Sequence, residues 1–349
     1  MTSFRLGFQT HVHGHAPARE LLPGLVDLYV AAEELGFESG WVAQHHLRAE
    51  NGRLPSPLVL LGAVAERTSR IRLGTSVIVL PLEQPVRLAE DAATVDAISE
   101  GRLELGLGTG GPSAAEFAAF GRDADERHGA YERAFVALVD LLAERTVVGG
   151  QRLSPSGAGI LDRLWDSHYR QAEVAQSATH GRGLLLGIGP ARSVQEPLAG
   201  LYRQHHRASH PNTPPRIAAF RGVFPGESRL ERERTLAPDV QRMTEHLITS
   251  GTLRIGSTAA ETLAALNVQY GTPDDIVASL RRDPVLPYAS DLVLAVQAES
   301  TSIPDAIRNL EVIAAEIAPR LGWSAKRPVA KGTGGSSSAA TSTRTEHAA

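Results

Sequence analysis

The chain has 349 residues, 42% of them hydrophobic, enough for one large α/β domain or two ordinary ones. It has no cysteine, which excludes disulfides, thiolate metal sites and a cysteine nucleophile. The net charge of −4 is mixed, with no basic stripe for nucleic acid, no apolar run of ~18 residues for a membrane span and no cleavage-type signal in MTSFRLGFQT, so the reading is a soluble cytoplasmic protein.

Arg5–Thr10 reads as the first strand. It runs into THVHGH, which sets His11, His13 and His15 at spacing two. On an extended strand the three would face one way, as metal ligands do. Gly14 and Pro17 already turn the chain, however, and no neighbouring Asp or Glu completes a ligand set. Pocket lining is therefore preferred for His11 and His13, with no metal assigned. A helix over Ala18–Gly36 and a strand over Ser39–Ala43 follow. Where that strand runs out stands WVAQHHL. His45 and His46 are adjacent, so they face opposite sides, and one of them points to the open end, where an imidazole suits proton transfer. The alternative is a hydrogen-bonded structural histidine.

A helix over Pro57–Thr68 leads to the most regular part of the chain. Ile71–Leu80 is a strand, Pro85–Ser99 a helix and Arg102–Gly108 a strand, together a βαβ unit. Small Ser76 leaves room in an otherwise bulky run. GLGTGG at 106–111 satisfies G-x-G-x-x-G, but it follows the fourth strand. About twenty residues further on stands DERHGAY, a helix entry rather than an acidic strand end, so a dinucleotide fold is rejected. Two readings stay open for the glycines: close backbone approach to a flat or phosphorylated ligand, and a tight turn. Arg127, near a helix start, suits a phosphate or a surface pair with Asp123 or Glu126.

The second half continues with a helix over Ala130–Glu144 and a turn-rich loop over Val148–Gly159. Strands are expected over Ile160–Trp165, Gly183–Ile188, Arg216–Val223 and Asp291–Gln297. Helices are expected over Gln171–His180, Ser193–His206, Glu227–Ser250 and Ile303–Leu321. Gly251–Arg282 reads as an insertion with extra helical turns, a lid. The tail from Ser324 is poor in large apolar residues and reads as disordered. Eight β/α pairs point to a closed (β/α)₈ TIM barrel with insertions, spanning residues 1–323 as one domain. The rival, a doubly wound sheet with a second domain, lacks a Pro/Gly/Ser linker to divide it. The only lysines, Lys326 and Lys331, lie in the tail, which removes Schiff-base chemistry of a barrel lyase.

WVAQHHL, the run PSPLVLLGAVAERTSRIRLGTSVIVLPLEQPVRLAEDAATVDAISEGRLELGLGTG and then EFAAFGRDADER resemble the bacterial-luciferase-like flavin-dependent monooxygenases. GILDRLW, HGRGLLLGIG and GTPDDIVASL extend the resemblance over most of the chain. GRGLLLG and PPRIAAFRGVF resemble the FMN-dependent luciferase-like subgroup. The resemblance implies a TIM barrel holding reduced FMN at its C-terminal mouth and oxidising a small organic substrate with O₂ through a C4a-peroxyflavin. It puts the catalytic role on His45, the first of the His-His pair, and the ring-supporting cis peptide at Ser76–Val77. The luciferase reactive cysteine becomes Gly108, followed by Thr109, and the family's Glu before the pair becomes Gln44. The phosphate arginine falls on Arg127, and Tyr169 and Arg170 stand where a serine-containing phosphate loop is usual. Substrate-side residues are His11, His13 and Gln44. The same fold also serves the deazaflavin F420 in hydride transfer, and it pairs catalytic with non-catalytic subunits; both remain alternatives. A separate flavin reductase and a homodimer through Pro57–Thr68 and Pro85–Ser99 are implied too. An aldehyde, a long-chain ketone, a sulfonate or a biosynthetic intermediate would suit the mouth.

Overall fold

Strands of small and branched residues alternate with amphipathic helices, and each strand can bury both faces only if it lies between a helix layer and a closed interior. The computed structural model describes residues 4–47, 52–145, 148–249 and 251–325. The expected tail falls outside these residues from 326 onward. In chain order the elements begin β1 (Arg5–Thr10), α1 (Ala18–Glu34), β2 (Ser39–Val42), α2 (Pro57–Arg67), β3 (Arg72–Thr75), β4 (Ile78–Val79), α3 (Pro85–Ile98) and β5 (Leu103–Gly108). They continue with α4 (Ala114–Ala119), α5 (Arg127–Leu142), β6 (Leu164–Ser167), α6 (Gln171–Thr179), β7 (Gly183–Leu186), α7 (Arg192–Ser209) and β8 (Ile217–Pro225). The last are α8 (Arg229–Thr235), α9 (Ala237–Thr249), α10 (Ala259–Ala265), β9 (Val268–Gly271), α11 (Pro273–Arg281), β10 (Asp291–Ala295) and α12 (Ile303–Val312).

The strands are parallel in the order β10–β1–β2–β3–β5–β6–β7–β8, and β8 pairs back to β10. That closes the (β/α)₈ barrel expected from the eight-fold alternation. Four local differences have physical reasons. The third strand is broken: Gly74 pairs with Glu104 but Ile78 with Leu107, so four steps on one side meet three on the other. The slip falls at Ser76–Val77, whose peptide is cis. Residues 158–163 form a 3₁₀ turn, which delays the fifth barrel strand to Leu164. The single helix expected over Glu227–Ser250, whose last residue lies outside the described residues, is two, α8 and α9, with Ser228 capping α8 through its bond from the Glu231 amide at 3.1 Å. The expected helical insertion also holds a strand, β9, which pairs with the upper half of β8 from Gly222 to Pro225.

The barrel is filled, not hollow. Trp41, Trp165, Leu185, Ala218, Phe220 and Val293 form an inner apolar layer. Trp41 meets Trp165 and Phe220 edge-on at 5.6 and 5.9 Å. Each indole lies across a glycine of the next strand, where a Cβ on Gly74 or Gly183 would come within 2.2 or 2.1 Å of it. Beneath that layer, at the strands' N-terminal ends, Arg5 pairs with Asp291 at 2.8 Å and Arg72 with Glu104, which also accepts from Trp165 Nε1 at 2.6 Å. The plugged bottom leaves the C-terminal mouth as the open end.

Candidate active site

β1 and β2 run side by side with Thr10 opposite Val42, so the loops that follow them rise together. Arg53 fastens these loops: its amide donates to Val12 O at 3.2 Å and its guanidinium to Gly14 O and Ala16 O at 2.8 and 2.6 Å. Val12 turns the chain with φ +59°, and Gln297 donates to His13 O at 2.9 Å. The result is a stack of imidazoles. His11 lies 5.6 Å from His13 and 5.4 Å from His45, ring centre to ring centre, and His11 Nδ1 is 3.1 Å from His45 Nε2. His46, in the loop after β2 rather than on the strand, turns the other way, onto Phe120. His15 is exposed, 3.9 Å from Glu299. Among the described residues no group of three or more His, Asp and Glu is placed to hold a metal.

The His11–His45 pair forms a wall shared by two chambers. The first, of about 480 Å³, is bounded by Ser76, Val77, Val79, Gln44 and the backbone of 110–113. The second, of about 350 Å³, lies beneath α9 and α10 and is lined by His13, Ile188, Phe224, Val240, Met243 and Leu263 among others. Val77 and Ile188 rest on the inner apolar layer and so floor the two chambers. Burial lowers His11 to about 4 and, with help from His11, Arg242 and His45, His13 to about 3, so both rings are neutral at neutral pH.

The other residues singled out in the sequence are placed as follows. Ser76 Oγ accepts from Gln9 Nε2 at 2.9 Å. A Cβ on Gly108 would sit 2.6 Å from Val77 Cγ2, so glycine there leaves Val77 its position; Thr109 stands in the next loop outside the chamber walls. Gln44 accepts from the Val79 amide at 2.8 Å and donates to Glu83 at 2.7 Å and Pro55 O at 3.1 Å. It therefore clamps β4 to the loop after β2. Arg127 and Arg170 are not brought to either chamber: Arg127 donates to Ala124 O at 2.9 Å, and Arg170 lies 3.7 Å from Glu173. The Tyr169 hydroxyl accepts from the Gly187 amide at 2.8 Å.

Several groups escaped the sequence reading. A Cβ on Gly52 would lie 2.4 Å from His45 Cδ2 and 2.3 Å from His11 O, so its absence lets both residues stand where they do. Glu83 supplies a carboxylate beside Gln44. Buried Asp166 accepts from Tyr131 at 2.7 Å and from Ser177 and Arg182 at 2.6 Å; burial alone would raise it, but Arg182 and its other partners hold it below the usual carboxylate range. Asn267 and Gln195 amides fix loop 187–190, which shapes the second chamber, through Ile188 O, Gly187 O and Pro190 O at 2.7–2.8 Å. None of these carries a motif; only a Gly beside a His-His run is visible in the sequence.

A filled barrel with a two-chambered mouth and a histidine partition defines an enzyme scaffold of the TIM-barrel class. The chain matches the luciferase-like monooxygenase family over residues 3–280 and belongs to it. The uncharacterized protein y4vJ of Sinorhizobium fredii is 36% identical over 195 residues, 55% of this chain and 50% of that protein. An F420-dependent glucose-6-phosphate dehydrogenase of Amycolatopsis mediterranei is 44% identical over 89 residues, 25% of this chain and 27% of that protein. The chain spans about half the length of the curated relatives it first matches. Among solved structures, the monooxygenase RslO1 from Streptomyces bottropensis aligns with a TM-score of 0.76 at 23% identity, covering 91% of this chain and 100% of that one. The oxygenating constituent of 3,6-diketocamphane monooxygenase from Pseudomonas putida, in complex with FMN, aligns at 0.72 and 17%, covering 90% and 98%. At these identities the two structures speak for the fold alone. No helix of the described residues is long and apolar enough to cross a membrane.

Proposed function

We propose that the chain is a monooxygenase that uses reduced FMN and O₂ to oxidise a small organic molecule. The observation that carries this reading is the pair of chambers sharing one histidine wall, a place for a cofactor and a place for a second reactant in contact with the same imidazoles. The first chamber suits a flat ring. Gly111 has open space where a Cβ would project, and Ser76, Val77 and the backbone of 110–113 would hold such a ring. A phosphate would be held outside the chamber walls by the N–H groups of Arg127 and Arg170 that remain beside their bonds to Ala124 O and Glu173, with the Tyr169–Arg170 turn beneath it. A reduced flavin, once bound, supplies the electrons that activate oxygen.

The chain's own residues do the rest. Between His11 Nδ1 and His45 Nε2 there is room for one hydrogen-bonding proton, so one ring donates and the other accepts. That contact orients His45, which can hold or deliver a proton at the partition. α9 and α10 cover one side of the second chamber with apolar side chains, which restricts water there. We further take residues 1–323 as one domain, reduced FMN as supplied by a separate reductase, and the protein as cytoplasmic. A homodimer is proposed through α2 and α3, which leave Val59, Val86 and Ile98 exposed.

The alternative cofactor is F420, favoured by the partial match to an F420-dependent dehydrogenase. One experiment separates the readings: anaerobic titration with reduced FMN and with reduced F420, followed by admission of oxygen and absorbance recording. Binding of reduced FMN with an oxygen-dependent transient is expected. Binding of F420 alone, without an oxygen response, transfers the chain to hydride transfer. Binding of neither makes it a non-catalytic partner subunit.

A further inference from the structure

The second chamber is apolar on most sides, and the charged groups at its rim are already matched to one another. Phe224, Leu236, Val240 and Leu263 are all at least 94% buried and belong to a small core separate from that of the barrel. Met243, an unbranched and adaptable side chain, lines the same space. Two charged side chains reach the lining, Asp239 and Arg242. Asp239 accepts from the Glu299 and Ser300 amides at 2.8 and 3.3 Å and from Ser300 Oγ at 2.7 Å. Arg242 lies 3.6 Å from Asp239 and 3.0 Å from Glu299. An anionic head entering here would meet a cation already bracketed by two carboxylates. It would also surrender its hydration to apolar walls, and an uncompensated buried charge is among the costliest errors in recognition.

The other polar side chains in the lining are Gln297, whose amide is engaged by Thr10 Oγ1 and His13 O, and the imidazole stack. His11, His13 and His45 all face this chamber, and burial keeps the first two uncharged. Neutral imidazoles offer N–H donors and ring-nitrogen acceptors, suited to a carbonyl or hydroxyl. At about 350 Å³ the space falls near the lower end of the roughly 300–1,000 Å³ of small-molecule sites.

We propose that this chamber binds a neutral, predominantly apolar molecule with a single carbonyl or hydroxyl group, that polar atom lying against the His11–His13–His45 stack, and that it rejects molecules with a carboxylate or sulfonate head. The assignment rests on reading the two chambers as cofactor and second-reactant sites. It narrows the substrates open to the chain by removing the sulfonate class.

The test is calorimetric titration of the full, flavin-free chain at pH 7.5 with three probes that share a chain length: 2-decanone, decanoate and decane-1-sulfonate. The ketone is expected to bind with a negative heat-capacity change, the mark of apolar burial, and both anions at least tenfold more weakly. Met243→Trp in α9 and Leu266→Trp just after α10, two half-buried positions that line the chamber, should each weaken the ketone at least tenfold. Anions binding as tightly as the ketone, no ketone binding, or ketone binding untouched by both substitutions would overturn the proposal. Reduced-FMN binding is measured in parallel. A chain that takes the ketone and not FMN supports the chamber and sinks the flavin reading; a chain that takes FMN and not the ketone does the reverse.

Discussion

His45 and His11 touch across 34 positions of sequence, and the consequences are local enough to test one side chain at a time. His45→Ala should slow turnover by roughly 10²–10⁴-fold, the range of a lost acid–base group, with flavin affinity almost unchanged. Equal loss of both would remove its catalytic role. Gly52→Ala adds no polar group, yet its methyl would press on His45 Cδ2 and on the His11 carbonyl oxygen at a residue with φ +153°; a fall in turnover of tenfold or more is expected together with a lower melting temperature. His11 and His13 also set an acid limit. Their folded values of about 4 and 3 lie below the ~6.5 of an unfolded histidine, so the unfolded state binds more protons between those limits. Stability should therefore be flat above pH 6.5 and decline as pH falls toward 4. Melting curves from pH 7.5 to 4.5 should show a shallower decline in His13→Gln than in the parent chain; identical slopes would disprove the assignment. Of these residues, the sequence marked the histidines through spacing and the strand end. It could not mark Gly52 as the packing surface of His45, because that contact depends on a loop folding back.

At the scale of elements, two joints decide whether the mouth keeps its shape. Thr75 and Gly106 bridge the broken third strand to β5: Thr75 Oγ1 donates to Gly106 O and accepts from Gly106 N, both at 2.8 Å. A Cβ on Gly106 would lie 2.0 Å from Thr75 O, so Gly106→Ala should destabilise by about 1–3 kcal/mol in urea melts through overpacking. The second joint is Arg221, fully buried in β8. It grips Asp283 through two bonds of 2.6 and 3.1 Å and donates to Gln195 at 3.1 Å. Burial alone would raise Asp283, but Arg221 holds it below the carboxylate range. Asp283→Ala leaves an unpaired buried guanidinium, and a loss of about 3–5 kcal/mol is expected. A loss under 1 kcal/mol would show that water reaches the site. The element pattern itself was largely legible, because a closed barrel repeats one period eight times. The broken third strand and β9 were not. A one-residue slip leaves the apolar run intact, and the four residues of β9 owe their conformation to pairing with β8.

For the whole molecule, the outer faces of α2 and α3 are the proposed subunit contact. Val59 is 76% exposed and Ile98 43%. Val59→Asp should convert a dimer to a monomer in sedimentation velocity at micromolar concentration; a parent chain that sediments as a monomer refutes the contact. The (β/α)₈ period and the family were legible in the chain alone, since both are written in local apolar periodicity and in a contiguous motif around the His-His pair. The sequence also leads to an expectation of His45 near the end of the second strand, and the structure sets it in the loop that follows β2. Folding alone brings His11 between His13 and His45, parts two chambers with that stack and sets Arg127 and Arg170 beside other partners. The reason is physical. Periodicity reports which face of an element is buried, whereas a chamber is made where loops from distant strands meet, and their packing is fixed by long-range hydrogen bonds and by atoms that glycine lacks.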